Sequence, residues 1–455
     1  MTMPGVSIAL SGLNSASTEM DVISENLANA ATPGYLSQTT NLAALGGGPD
    51  AVGSGVQVSG ISVDYNAVLS VLMNTTAGAS ASASASYQVL STAQSLLQEP
   101  SSTGLQSQLS RFWSDWSAVA TNPGDSASYE SLVGAAQQVT GSLNTLAAGL
   151  ETTSTGALSQ LDSQVKAVNS QLNQLAALNV EAAAANGSNS GQNGVTEQQQ
   201  SLVSTIASEI GGSGSLGPTG AVTYSLGGIS LVQGDNAAQI ALSGSGGTTT
   251  VVLSGTTTVV PVDSGTVAGL ISSMGTISSW QLSLSTVAMT LADTVNTQLE
   301  AGVSWNPVGS STATSSPGTA MFSYSGSPSA ATIEVSPAIV ADPTTIAAGA
   351  SSTTGPLDGT NAALVASLSN APNGADGLYQ ALVGSVGSAV QSAGASETST
   401  ALAASQAAAT ASSSEGVNQN SQLVALLNDQ QAYEASAKLI TIAQSMAQSL
   451  LAAVS

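Results

Sequence analysis

The sequence contains no cysteine and no histidine, and its only basic residues are Arg111, Lys166 and Lys438. Each absence removes a class of function. Without thiols or imidazoles there are no disulfides, no thiolate or imidazole zinc sites, and no catalytic triad built on a histidine base. Three dispersed cations cannot neutralise a run of phosphates, so nucleic acid is excluded as a partner. Aromatic residues make up 3% of the chain and charged residues 6%, against about 25% charged in an ordinary soluble domain. No stretch offers about 18 uninterrupted apolar residues, so no membrane insertion is expected.

What is present is apolar, small and acidic. The 455 residues carry 26 acids for a net charge of −23, yet mean hydropathy is +0.24 and 42% of residues are hydrophobic. Disorder needs high charge together with low hydrophobicity, and this chain has the second property reversed. Its apolar residues are mostly Ala, Leu, Val and Ile, set among Ser and Gln, which favours long helices over a compact enzyme body. The length allows two to four domains at roughly 100–200 residues each. The first residues lack the basic and continuous apolar regions of a secretory signal. The expectation is a cytoplasmic protein, or one that leaves by a route needing no cleaved signal.

The clearest pattern is at the N-terminus. Ala9, Leu13, Ala16, Met20, Ile23, Leu27 and Ala30 step by four and three, an unbroken heptad seam on one face of a helix. A helix from Val6 to Ala30 would be about 37 Å long at 1.5 Å per residue. Thr32-Pro33-Gly34 ends it, since proline moves Thr32 out of the helical region. The C-terminus mirrors it. Leu423, Leu426, Gln430, Tyr433, Ala437, Ile440, Gln444, Ala447, Leu451 and Val454 repeat the three–four step. Glu434 stands four residues before Lys438, in the favourable order for a helical ion pair. Both ends are thus helices seeking a partner, and each suits the other.

Between them the helical period runs from Val68 to Ile210, with Ala79–Ser86 read as helix. Leu105, Leu109, Phe112, Trp116 and Val119 form one buried stripe. Asn122-Pro123-Gly124-Asp125 ends that helix, and a pair, Ser128–Gly149 and Thr155–Ala185, follows before a Gly/Asn-rich turn over 186–194. Composition shifts at Gly211 to Gly, Thr and Val, which reads as short strands. The expected fold is mainly α with a smaller β module. Terminal helices pair as a coiled coil, a helical bundle is central, and a β-rich domain lies outermost. In residue terms this gives an N-terminal arm at 1–75 and a helical rod domain at 76–210. The outer β module covers 211–263, the return helix 264–300, and a second segment of the outer module 301–344. The last part of the rod domain covers 345–400 and the C-terminal arm 401–455. Within the last two regions, Asn361–Ser369 and Leu378–Gln391 read as short helices, and Thr398–Ser455 as a long one with a break at Gly416.

No chemistry-bearing motif survives its context. Gly212-Ser-Gly-Ser-Leu-Gly217 matches a dinucleotide fingerprint, but a helix precedes it and strand-like sequence follows, the reverse of the required order. Asp358-Gly-Thr-Asn361 and Asn373-Gly-Ala-Asp-Gly377 lack the ligand spacing of a calcium loop and read as turns. Carboxylate pairs for glycoside hydrolysis are scattered, with few aromatics to line a sugar site. The Phe112, Trp113, Trp116 cluster reads as core. No enzyme, cofactor or metal is expected.

Two longer motifs carry a resemblance. Ser11-Gly-Leu-Asn-Ser-Ala16 and Asp21-Val-Ile-Ser-Glu-Asn-Leu-Ala-Asn-Ala-Ala-Thr-Pro-Gly-Tyr35, with Asn26, Asn29, Thr32, Pro33, Gly34 and Tyr35 as its landmarks, resemble the start of the bacterial flagellar axial proteins. Gly416-Val-Asn418 and Asp429-Gln-Gln-Ala-Tyr-Glu-Ala-Ser-Ala-Lys-Leu-Ile440, with Gln430, Gln431 and Lys438, are similar to the hook-associated branch of that family. Phe112–Val133, Val295–Gly302 and Val340-Ala-Asp-Pro343 resemble its internal landmarks, so the likeness runs along essentially the whole chain. The chain departs from the pattern at Gln419-Asn-Ser-Gln422, where the family is usually acidic, and at Ser412-Ser-Ser-Glu-Gly416, where it usually has a basic residue.

The resemblance implies a structural, secreted component of the flagellum, exported by the flagellar type III route without a cleaved signal. It implies a place as an adaptor layer between hook and filament. The implied partners are the hook protein on one side, a second junction protein on the other, further copies in a helical array, and an export chaperone on the C-terminal arm. A hook or rod axial protein, and a secreted adhesin with a helical stalk, are the alternatives left open.

Overall fold

The computed structural model describes residues 4–32, 35–46, 53–185, 189–306 and 308–454. Helix α1 (Pro4–Asn29) leads into a hairpin of β1 (Gln38–Leu45) and β2 (Gly55–Val63). Helices α2 (Ala67–Leu97), α3 (Leu105–Thr121), α4 (Ser126–Ala185) and α5 (Asn189–Ile210) follow. Next come β3 (Ser213–Leu216), β4 (Val222–Leu226), β5 (Ile229–Gln233), β6 (Asn236–Ala237), β7 (Ile240–Ser243) and β8 (Thr250–Leu253). Helix α6 (Gly265–Glu300) returns, then β9 (Val303–Asn306), β10 (Thr314–Pro317), β11 (Phe322–Tyr324), β12 (Ile333–Val335) and α7 (Pro337–Ala341). Helices α8 (Thr360–Ser367), α9 (Ala375–Glu415) and α10 (Gln419–Val454) complete the chain. All strand pairs are antiparallel, and the largest sheet has the order β3-β4-β5-β6.

The body has two cores strung along shared long helices. In α4, Tyr129 to Leu150 lie in the first core and Ala157 to Ala176 in the second. In α6 the order reverses, with Val267 to Met274 in the second and Ile277 to Leu299 in the first. The predicted stripe of Leu105, Leu109, Phe112, Trp116 and Val119 is buried throughout in the first core. Phe112 stacks edge-on against Trp116 and tilted against Trp113 and Phe322. These apolar contacts supply the main driving force, at about 25 cal/mol per Å² removed from water.

The bodies of several predicted elements extend further than the local sequence indicates. Ser128–Gly149 and Thr155–Ala185 are not a pair: α4 is one helix of 60 residues. Burial passes through Leu150, Ser154 and Ala157 without a gap, so the two cores hold the intervening Gly149 and Thr155 helical. Likewise Leu378–Gln391 and the start of the predicted last helix are one helix, α9, which ends at Gly416. The arm boundaries move accordingly, from 75 to the linker at 64–66 and from 401 to Gly416. Of the turn expected over 186–194, residues 189–194 are helical and 186–188 lie outside the described residues. Gly212–Gly217 contains strand β3.

Residues 301–344 do not join 211–263 in one module. Val222, Tyr224, Val232, Ile240 and Val251 fill the second core, whereas Met321, Phe322, Ile333 and Val335 fill the first. Helix asparagines hold the strands in place. Asn179 donates to Val222 O at 2.8 Å and accepts from Val222 N at 2.7 Å. Asn169 pairs both polar groups of Ile240 in the same way, and Asn296 those of Phe322. The expected Glu434–Lys438 ion pair is not formed. Among the described residues the ion pair is Lys166–Asp162, at 2.6 Å and exposed.

Candidate functional site

Helices α1 and α10 pack side by side, and α1 also packs against the β1–β2 hairpin, which in turn touches α5. Their direction is antiparallel. Asn26 Nδ2 donates to Gln422 Oε1 at 3.4 Å, Glu19 lies beside Asp429, and Gly12 faces Ser436. Each step of seven residues back along α1 is a step of seven forward along α10. A Cβ at Gly12 would stand 3.0 Å from Ser436 Oγ, so glycine sets the closeness of the approach.

Three of the seven seam positions in α1 are buried, and four of those in α10 are half-buried. In α1, Ala9, Ala16 and Ile23 are buried, whereas Leu13, Met20, Leu27 and Ala30 are half-buried. The second line of interhelical contact is Gly12, Glu19 and Asn26, one residue earlier than Leu13, Met20 and Leu27. In α10, Leu426, Ile440 and Ala447 are half-buried, and Tyr433 is 37% exposed at the seam's edge. Leu423, Gln430, Gln431, Lys438 and Gln444 are exposed, and Ala437 is half-buried. Gln422, Asp429, Ser436 and Ala443 are half-buried in their place. A count of apolar residues passes over this line because it is polar or small, although its period of seven is present in the sequence. The side chain of Leu451 lies outside the described residues.

Asn26 is the only polar residue of α1 other than Ser15 that is buried among the described residues. Its Oδ1 accepts from Gln38 N at 2.9 Å and from Tyr35 Oη at 3.0 Å, and its Nδ2 donates to Gln38 O at 2.8 Å. Burial pushes the Tyr35 phenol up to about 12, with Glu25 and Glu197 adding to the shift. Asn29 donates to Glu25 O at 3.1 Å, and Thr32 N donates to Asn29 O at 2.8 Å, closing the helix end. Pro33 and Gly34 lie outside the described residues. On the hairpin side, Ser11 Oγ accepts from Val56 N at 3.2 Å and Ser15 Oγ donates to Val56 O at 3.4 Å. Gly55, at φ +114°, allows this contact, since a Cβ there would fall on Ser11 Oγ.

The arrangement is an interface between two helices and a hairpin. Burial, then hydrogen bonding and repulsion with Asp429, push the Glu19 carboxyl up to about 7. Among the described residues no group of three or more acids could hold a metal ion, and no helix is long and apolar enough to cross a membrane. On α10 two groups of apolar residues are exposed, Leu423, Val424 and Leu427 near its start and Leu439, Ile442 and Met446 further along. Exposed apolar surface of this kind marks a site of protein association.

Three family models match the chain. The flagellar hook-associated protein FlgK helical domain matches residues 90–322, the flagella basal body rod protein model residues 7–35, and the flagellar basal body rod FlgEFG protein C-terminal model residues 409–453. Flagellar hook-associated protein 1 of Salmonella typhimurium is 31% identical over 141 residues, 30% of this chain and 25% of that protein. Flagellar hook protein FlgE of Escherichia coli is 49% identical over 57 residues, 12% of this chain and 14% of that protein. The alignments therefore span about a quarter or less of these relatives' lengths. The flagellar hook junction protein FlgK from Burkholderia pseudomallei superposes with a TM-score of 0.49 at 22% identity, over 56% of this chain and 46% of that one. With the helical-domain model covering just over half of its length, the chain belongs to the FlgK family of flagellar hook-associated proteins.

Proposed function

We propose that this chain is a structural adaptor at the hook–filament junction, assembled as a helical layer between the two. The observation that carries this reading is the antiparallel pairing of α1 with α10 at the ends of a chain whose middle is a hook-associated helical domain. Paired ends place both termini in one layer, and the exposed apolar residues of α10 are available to neighbouring subunits. A head-to-tail contact repeated by a rotation and a rise builds an open helical array rather than a closed ring. In that array the hook protein lies on one side and a second junction protein on the other. An export chaperone covers the C-terminal arm beforehand, and the chain reaches the cell exterior through the flagellar export route.

The composition suits this role. With three basic residues, ion pairs contribute little between copies of the chain, so the contacts between them are mainly apolar and carboxamide-mediated. Deletion of the gene in its own bacterium tests the reading, with electron microscopy of the cell surface. Hooks without filaments are the expected result. Cells that keep full filaments contradict it, and basal bodies lacking hooks support a hook or rod protein instead.

A further inference from the structure

The arms join the body through two covalent linkers, residues 64–66 before α2 and residues 416–418 after α9. Glu415, the last residue of α9, is 7% exposed and holds both. Its Oε1 accepts from Asn66 N at 2.6 Å. Its backbone carbonyl accepts from Ser37 N at 2.9 Å, and Ser37 O accepts from Asp64 N at 2.8 Å. Asn66 in turn caps α2, its Oδ1 accepting from Val68 N at 3.1 Å and Leu69 N at 3.3 Å. Glu415 forms no ion pair with a described residue, and its carboxylate is committed to a backbone N–H. A buried carboxylate is costly unless it is hydrogen-bonded, and this bond is what compensates it.

We propose that Glu415 is the clasp that sets the angle of the paired arms on the body. The residue sits where three segments meet: the start of the hairpin, the N-cap of α2 and the end of α9. Gly416 then turns the chain out of α9, and Asn418 starts α10, its Oδ1 accepting from Ser421 N at 3.1 Å. Without the carboxylate, Asn66 N loses its acceptor, and only the backbone bonds through Ser37 still join the two linkers. The arms then swing more widely as a unit about residues 64–66 and 416–418, held by the Ser37 bonds and by the hairpin's contact with α5, where Gln38 Nε2 donates to Glu197 Oε1 at 3.4 Å. The inference concerns the single chain, so it stands or falls independently of where that chain assembles.

The test uses the full-length chain and the variants Glu415→Ala and Glu415→Gln. Because the sequence has no cysteine, introduced cysteines carry nitroxide labels at chosen positions only. Labels at Asn420→Cys and Ser283→Cys read arm against body, and labels at Asn420→Cys and Ser24→Cys read α10 against α1. In Glu415→Ala the arm–body distance distribution broadens, the α1–α10 distribution stays narrow, and amide exchange at Asn66 rises about tenfold. In Glu415→Gln, which keeps a carbonyl acceptor, all three return towards the parent values. An unchanged arm–body distribution in Glu415→Ala overturns the proposal. So does a Glu415→Gln variant as loose as Glu415→Ala, or a broadened α1–α10 distribution, which would indicate unfolded arms rather than a released pivot.

Discussion

Asn26 of α1 pairs its side-chain amide with both backbone groups of Gln38, donating at 2.8 Å and accepting at 2.9 Å. The same carboxamide–peptide pair recurs at Asn169 with Ile240, Asn179 with Val222 and Asn296 with Phe322. A chain with hardly any charges thus docks its strands on its helices through uncharged two-point hydrogen bonds. Such pairs satisfy a strand's exposed edge and fix its register on the helix at the same time.

Replacing Asn26 with Ala leaves the N–H and C=O of Gln38 without their partners. Each buried group so abandoned costs about 1–3 kcal/mol. The expected outcome is faster amide exchange across 38–63 and 9–29 with the body unaffected. Equal loss of protection in α3 and α4 would show that the arm is not a separate unit.

Asn179→Ala removes the tie between α4 and β4 and also the partner of Gln199, whose Nε2 donates to Asn179 Oδ1 at 2.9 Å. A loss of about 3 kcal/mol from the body's thermal unfolding is expected. Asn428→Ala, at an exposed position of α10, serves as the control and changes the same transition little. Calorimetry of the two variants side by side makes the comparison.

Much of this architecture is legible from residues alone. The terminal helices, the stripe from Leu105 to Val119 and the break at Gly416 follow from local period and helix-stopping residues. The direction and offset of the α1–α10 pair do not, because a heptad names a face and not the partner's orientation. Gly12, Glu19 and Asn26 take positions that hydrophobicity assigns to Leu13, Met20 and Leu27. The continuity of α4 past Gly149, and the assignment of β11 and β12 to the first core, depend on packing between residues more than 100 apart. Long-range burial outweighs local propensity there.

Protonation of Glu19 strengthens the arm pair. Its carboxyl titrates near 7 in the folded arm against an ordinary value of 4.5. The raised value means the stabilisation is fully present below about pH 4.5 and is lost as pH rises through about 7. Amide protection in α1 should therefore be greater at pH 5 than at pH 8. In Glu19→Gln that difference should shrink, and a pH dependence undiminished in this variant would remove Glu19 from the account.

Ile23 is 7% exposed and is the largest of the three buried seam residues of α1. Ile23→Asp places a carboxylate there, beside a helix with no nearby cation, and breaks the pairing of the arms. The purified variant is expected to remain folded in its body, by circular dichroism, and the variant to be missing from isolated hook–filament structures. Normal incorporation of this variant would mean that assembly does not use the α1–α10 pair.

The most direct measurement is a subunit-resolved electron-microscopy map of the hook–filament boundary from the source bacterium. The account predicts a tier of this chain between hook and filament, with α1 and α10 antiparallel in one layer, Glu19 opposite Asp429 and Asn26 beside Gln422. A boundary tier that lacks this chain, or one in which α1 and α10 lie in separate layers, would contradict it.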